Sequence, residues 1–151
     1  MAAYKNKYVK QAKNPLEYPI AKNTQDPDTF NNMHPSWCFS ACDTKAWTFN
    51  AEQFIQIILP RLKEWEARTW NEILIMSKKE NHSINTKLLN KNARNRLNDL
   101  MLEIDAIISL RIQGTYRLYG YRIGSVFYIL WFDTNHGDND TCVCRSHKKH
   151  T

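Results

Sequence analysis

Apolar residues recur at helical spacing through the middle of the chain. Over residues 51–76 they fall three or four positions apart, which predicts a helix with a kink or a break at Pro60. A second stripe of the same period predicts a helix over residues 86–103, with Asn85 as its N-cap. The polar residues 78–83 between the two stripes are expected to form a connection.

Near residue 106 the hydrophobic pattern changes from helical spacing to alternation, which is typical of strands. The alternation predicts a three-stranded antiparallel meander over residues 106–133, with turns at Gly114-Thr115 and Gly124-Ser125. A shorter segment, residues 36–42, predicts one earlier strand. The predicted order is β-α-α-β-β-β, and the predicted fold class is α+β: an antiparallel sheet with two helices packed on one face.

The chain of 151 residues is long enough to bury a core without a covalent staple. Residues 1–34 contain few aliphatic side chains and several prolines and asparagines, which predicts an extended or flexible N-terminal arm. Residues 35–137 then form the α+β domain, with the five tryptophans expected mainly in its core. Residues 138–151 form a loop and a basic C-terminal tail.

Composition narrows the class of protein further. The 21 Lys and Arg residues outnumber the 15 Asp and Glu residues, and the net charge of +6 suits a polyanionic partner. No apolar run is long enough to cross a bilayer and no secretory signal is present, so we expect a cytoplasmic protein without a membrane partner and with reduced cysteines. The sequence contains no Walker, HExxH or Rossmann motif, so no cofactor is expected.

The meander carries the strongest candidate for chemistry. If its leucines face the helices, the pleat places four polar side chains on the opposite, solvent-facing side: Arg111, Arg117, Tyr119 and Tyr121. Such a face suits single-stranded RNA, because arginines bind phosphates and tyrosines stack on bases. An ordinary solvated sheet face has the same composition, so the pattern leaves both interpretations open.

Two histidines in predicted loops are candidates for acid–base catalysis. His82 and His136 flank the helix–sheet core, and Asp133 is placed to orient His136. An imidazole can take a proton from a ribose 2′-hydroxyl or give one to a leaving 5′-oxygen. A surface or capping role is the alternative for each histidine.

The C-terminal tail combines possible zinc ligands with basic residues. The possible ligands are Cys142, Cys144, His147 and His150. Their close spacing leaves little slack for a closed tetrahedral site, so a basic tail that follows a phosphate backbone is the preferred interpretation. On this interpretation the tail contains almost nothing apolar to bury, and its removal is expected to leave the domain folded.

Two stretches of the chain resemble the C-terminal half of RelE-like toxins, small basic RNases of bacterial toxin–antitoxin pairs. They are SLRIQGTYRLYGY, residues 109–121, and FYILWFDTNH, residues 127–136. The motifs WNEI at residues 70–73, HSI at residues 82–84 and LWFDxxH at residues 130–136 also resemble a group of bacterial and phage proteins. The resemblance covers about residues 36–136 and implies a RelE-like fold.

The resemblance implies a metal-independent endoribonuclease that cleaves mRNA, commonly on the ribosome, and is neutralised by a protein antitoxin. Arg111 and Arg117 match the strand arginines that would clamp the phosphate, Tyr119 would stack a base, and His82 or His136 would act as acid or base. The RNA-binding set is completed by Tyr121, Arg122, Arg145, Lys148 and Lys149.

Two features depart from the family pattern. The chain has no obvious match to the C-terminal catalytic tyrosine of RelE-like toxins, and its N-terminal arm is unusually long. The alternative function is a non-catalytic module that binds nucleic acid or protein, for example a phage anti-defence or host-takeover inhibitor.

Overall fold

The computed structural model describes residues 30–138 and 140–144, which contain a five-stranded sheet of order β1-β5-β4-β3-β2. The strands are β1 Ser36–Cys38, β2 Asn81–Asn85, β3 Ala106–Gln113, β4 Tyr116–Ile123 and β5 Val126–Asp133. Strands β3, β4 and β5 pair antiparallel in chain order, which confirms the predicted meander. Gly114 and Gly124 occupy its turns with φ of 49° and 64°, left-handed conformations that favour glycine.

The rest of the sheet differs from the prediction. Strand β1 is shorter than the predicted segment 36–42 and pairs parallel with β5, so the sheet is mixed and the expectation of a purely antiparallel sheet is wrong. Residues 81–85 form the edge strand β2 instead of belonging to a loop. The polar side chain of Asn81 is buried at the start of this strand, where it donates to the Ile73 carbonyl and accepts from the Arg111 N–H.

The first predicted helix breaks later than expected. Helix α1 runs over residues 51–66 as Ala51–Gln53, a π-helical turn Phe54–Ile58 and Leu59–Glu66. Pro60 lies just after the π-helical turn and does not end the helix. The wider turn gives room for the proline ring, which in a regular α-helix would clash with the carbonyl four residues earlier. The break falls at residues 67–69, after which a π-helical segment, Asn71–Met76, follows.

The second predicted helix is shorter than its apolar stripe. Helix α2 covers Lys91–Asp99 instead of residues 86–103, and Asn85 caps a 3-10 turn, Thr86–Leu88. Within the ranges given above, no helix is both long enough and apolar enough to cross a membrane.

The two helices cover opposite faces of the sheet, so the prediction that both lie on one face is wrong. On the first face, α1 and the π-helical segment pack with their buried residues against Leu110 and Leu118. On the other face, which we call the α2 face, Ala93 and Leu97 pack with Ile107, Tyr119 and Trp131. Three of the five tryptophans are fully buried, as expected for core residues: Trp65, Trp70 and Trp131.

The bulge in β4 gives a sharp test of this sheet packing. The pairing register of β4 and β5 shifts between Tyr119 and Gly120, and a Cβ atom on Gly120 would lie 2.1 Å from the Tyr128 carbonyl oxygen. We expect Gly120→Ala to lower the free energy of unfolding in urea by about 1–3 kcal/mol, because the backbone cannot move aside freely. Gly114→Asn is the control, because a Cβ atom there would meet open space and asparagine tolerates the left-handed conformation. A wild-type midpoint for Gly120→Ala would contradict this packing.

Candidate anion-binding and catalytic site

Two arginines stand directly opposite each other on the α2 face. Arg111 on β3 and Arg117 on β4 are cross-strand partners, and both side chains are partly buried. No carboxylate of the described residues forms an ion pair with either guanidinium. Like charges in directly opposite positions of a sheet destabilise it, and an anion between the two guanidinium groups would neutralise both.

The protein environment of Arg117 stabilises the positive charge of its guanidinium less well than water would. Burial is the largest influence and lowers the pKa of its guanidinium. The charge of Arg111 also lowers this pKa, whereas Tyr119, Cys144 and Asp133 raise it. The partner of Arg117 on the other side is Asp133, but the Asp133 carboxylate accepts hydrogen bonds from the backbone N–H groups of Asn135 and Val143. Burial is also the largest influence on Asp133 and raises the pKa of its carboxyl.

The turn between β3 and β4 holds the arginine and one histidine at the same end of the sheet. A terminal nitrogen of Arg117 donates to the Gly114 carbonyl at 2.7 Å, and the backbone N–H of His136 donates to the Thr115 carbonyl at 3.1 Å. The loop after β5 therefore brings His136 back beside the start of β4. Both residues belong to the site predicted from the sequence, and both donate hydrogen bonds to carbonyls of the Gly114-Thr115 turn.

Tyr119 connects this histidine to the core. Its hydroxyl lies 3.5 Å from Nδ1 of His136 and 2.9 Å from Sγ of Cys144. Burial raises the pKa of Tyr119 well above its usual value, and the contact with Cys144 adds to the rise. The ring is fully buried, so the prediction that Tyr119 stacks an RNA base is wrong.

His82 lies on the other side of the arginine pair. It is exposed on β2 opposite Ser109, which in turn stands opposite Tyr119 on β4. Ser109 is buried beside Tyr119, and the contact of its hydroxyl with the Tyr119 hydroxyl lowers the pKa of Tyr119. In strand order the two histidines thus flank the arginines, with His136 beyond β4 and His82 beyond β3.

Two residues predicted to bind RNA make contacts within the domain. Tyr121 is buried and stacks on Tyr128 with ring centroids 5.0 Å apart, so the predicted exposure of its ring is wrong. The Arg122 guanidinium donates to Gly124 and Asn31 and lies over the Trp70 ring, away from the arginine pair. The other predicted RNA-binding residues, Arg145, Lys148 and Lys149, and the possible ligands His147 and His150 lie outside the described residues.

The segment just before the tail is part of the core, which corrects the expectation that it has almost nothing to bury. We call residues 141–144 the C-terminal strap; Cys142, Val143 and Cys144 are each at most 3% exposed. The Asn90 side chain donates to the carbonyls of Cys142 and Cys144, at 3.0 and 3.1 Å. Truncation at residue 142 would therefore remove core as well as tail.

Sequence reasoning missed Cys144 and Asn90 as parts of this site. The only sequence signal was the spacing of Cys142 and Cys144, which suggested a metal ligand pair. Within residues 30–138 and 140–144, no three His, Cys, Asp or Glu residues are grouped to hold a metal ion.

Comparison of the chain with models of protein families, with curated proteins and with solved structures finds no match. The likeness to RelE-like toxins therefore rests on the two quoted stretches of sequence alone.

Proposed function

We propose that this protein is a toxin-like endoribonuclease that cleaves mRNA by metal-independent attack of the ribose 2′-hydroxyl and is controlled by a protein antitoxin. The observation that carries the proposal is the pair Arg111 and Arg117, opposed across two strands with no described carboxylate close enough to either guanidinium to form an ion pair. A phosphodiester is an anion of the right size to bridge two guanidinium groups, which bind phosphate in a planar, bidentate manner.

The chemistry needs only groups that lie at this end of the sheet. The 2′-oxygen attacks the adjacent phosphorus, its proton passes to a base, and the bond to the 5′-oxygen breaks as that oxygen receives a proton. Arg111 and Arg117 stabilise the charge of the pentacoordinate phosphate. His136 is the acid–base group that the contacts support best, because its loop shares the Gly114-Thr115 turn with Arg117; His82 is the candidate for the second proton transfer.

A non-catalytic RNA-binding module is the second candidate. It is favoured by the burial of Tyr119 and Tyr121, because the aromatic rings expected to hold a base in a cleavage geometry are not on the surface. Binding through the arginines alone would be salt-dependent and insensitive to RNA sequence.

The decisive experiment is incubation of the full chain with single-stranded RNA in the presence of EDTA. We expect cleavage to products with 2′,3′-cyclic phosphate or 3′-phosphate ends, and we expect a deoxyribose at the cut position to abolish cleavage there. The Arg111→Ala, Arg117→Ala double variant should lose cleavage while it keeps its fold by circular dichroism.

Three outcomes would contradict the proposal. Cleavage that stops in EDTA or an all-DNA strand cut equally well would exclude this mechanism, and salt-dependent RNA binding without cleavage would support the binding module.

In bacteria, induction should arrest growth and cleave mRNA, and co-expression of an adjacently encoded small antitoxin should relieve the arrest.

A further inference from the structure

Several hydrogen bonds join the C-terminal strap to the rest of the described domain. Besides the two hydrogen bonds from the Asn90 side chain, the Asn90 N–H donates to the Val143 carbonyl at 2.8 Å. The Val143 N–H donates to the Asp133 carboxylate at 2.8 Å, and the Trp47 indole donates to the Thr141 carbonyl at 2.8 Å. These contacts join the strap to the start of α2 and to the end of β5.

The consequence of this clamping is the position of one thiol. Cys144 forms an isolated antiparallel bridge with Leu89, and its Sγ lies 2.9 Å from the Tyr119 hydroxyl. The same hydroxyl reaches Nδ1 of His136 at 3.5 Å, the outer limit of a hydrogen bond. Catalytic hydrogen bonds are often long in a protein without substrate and shorten when it binds.

We propose that the strap positions His136: Cys144 orients the Tyr119 hydroxyl, and this hydroxyl sets which ring nitrogen of His136 carries the proton. Cys144 and Tyr119 are positioning residues for the ribonuclease proposed above, and the catalytic part of this inference rests on that proposal. The tautomer of a histidine is set by the hydrogen bond that its other nitrogen makes, which is the physical basis of the effect.

The direction of the hydrogen bonds follows from the weakness of sulfur as an acceptor. Burial raises the pKa of the Cys144 thiol to about 11, so the thiol keeps its proton at neutral pH. We therefore expect the thiol to donate to the Tyr119 oxygen and the Tyr119 hydroxyl to donate to Nδ1 of His136. A neutral His136 then carries its proton on Nε2.

Other groups around the Tyr119 hydroxyl and the Cys144 thiol come from four elements. Asp133 ends β5, Arg117 lies on the same strand as Tyr119, the Ser109 hydroxyl lies on β3, and Cys142 lies beside Cys144 in the strap.

The direct test is the tautomer of His136, read from the nitrogen chemical shifts of its ring at a pH where the ring is neutral. We expect the proton on Nε2 in the wild type and a larger share of the Nδ1-protonated tautomer in Tyr119→Phe. Tyr128→Phe is the matched control, because Tyr128 lies on the same sheet but stacks on Tyr121. An unchanged tautomer in Tyr119→Phe would overturn the inference even if the protein cleaves RNA.

The kinetic test uses the expectation that the Cys144 thiol affects catalysis only through Tyr119. We expect Tyr119→Phe and Cys144→Ala each to lower kcat about tenfold with little change in KM, and Cys144→Ser to stay within about threefold of the wild type, because a hydroxyl replaces the donor. The Tyr119→Phe, Cys144→Ala double variant should be no slower than Tyr119→Phe. Additive losses, or an equal loss in the control Cys42→Ala, would overturn the inference.

The two readouts separate this inference from the function on which it rests. If the wild type cleaves no RNA but the tautomer shifts in Tyr119→Phe, the positioning network stands and the ribonuclease proposal fails. If cleavage occurs and the tautomer stays the same, the ribonuclease proposal stands and the positioning role fails.

Discussion

Arg117→Lys is expected to slow RNA cleavage roughly 100-fold or more, which is the scale of removing one preorganised donor to a transition state. One Arg117 nitrogen is used by the carbonyls of Gly114 and Tyr116, at 2.7 and 3.2 Å, and this contact fixes the guanidinium plane beside Arg111. A lysine keeps the charge but has one nitrogen, so it cannot hold the turn and bind two phosphate oxygens together. The measurement is single-turnover cleavage at saturating protein.

The matched control is Arg68→Lys, the same replacement at an exposed position just after α1. It should cleave at the wild-type rate, and both variants should keep the wild-type thermal midpoint within a few degrees. An Arg117→Lys protein that cleaves within threefold of the wild type would show that charge alone is needed, and the bidentate role of Arg117 would be wrong.

Asp43→Asn is expected to destabilise the fold by about 1–3 kcal/mol, because buried donors lose their acceptor and Arg96 loses its counter-charge. The Asp43 carboxylate is buried and accepts from two Arg96 nitrogens, at 2.7 and 2.8 Å, and from the Trp131 indole at 2.9 Å. It also accepts from the N–H groups of Lys45 and Ala46. An asparagine amide would turn N–H groups toward some of these donors and would leave the Arg96 charge unpaired.

The size of this effect depends on burial, which the control variant tests. Glu64→Gln removes the acidic partner of Arg61 in an exposed ion pair and should change the free energy of unfolding by only about 0–1 kcal/mol. Combining Asp43→Asn with Arg96→Met should restore part of the lost stability, because no uncompensated charge remains. Equal effects of Asp43→Asn and Glu64→Gln in urea denaturation would contradict this account.

The same carboxylate gives a pH dependence with a defined sign. Burial by itself would raise the pKa of Asp43, but the hydrogen bonds from Arg96, Lys45, Trp131 and Ala46 hold it well below its usual range. The stabilisation is therefore complete above the ordinary aspartate pKa of about 3.9 and decreases as the pH falls below that value. In Asp43→Asn this part of the acid sensitivity should disappear.

The meander was predictable because its information is local. Each of its strands pairs with the next in the chain, and Gly114 and Gly124 supply the left-handed conformations that the two turns need. The mixed character of the sheet was not predictable in this way. The pairing of Ser36–Cys38 with β5 joins segments about ninety residues apart and leaves no local pattern.

Two further elements carry no pattern that local reasoning detects. Strand β2 reads NHSIN, and its pairing with β3, assisted by the buried Asn81, makes it a strand in spite of its polar composition. The strap contains three buried residues, too few to show a period. Its burial depends on Asn90, which lies 52 residues before Cys142, and on Asp133 at the end of β5.

For the candidate site, the sequence by itself determined which side chains share a face of the sheet. The pleat places Arg111, Arg117 and Tyr119 on one side whatever packs there, because successive side chains of a strand alternate. Only the tertiary structure decided how much of that face is covered: α2 and the strap bury Tyr119 and leave the two arginines partly open. Coverage depends on contacts between distant segments, whereas alternation depends on neighbouring residues, and this difference separates what was predicted from what was not.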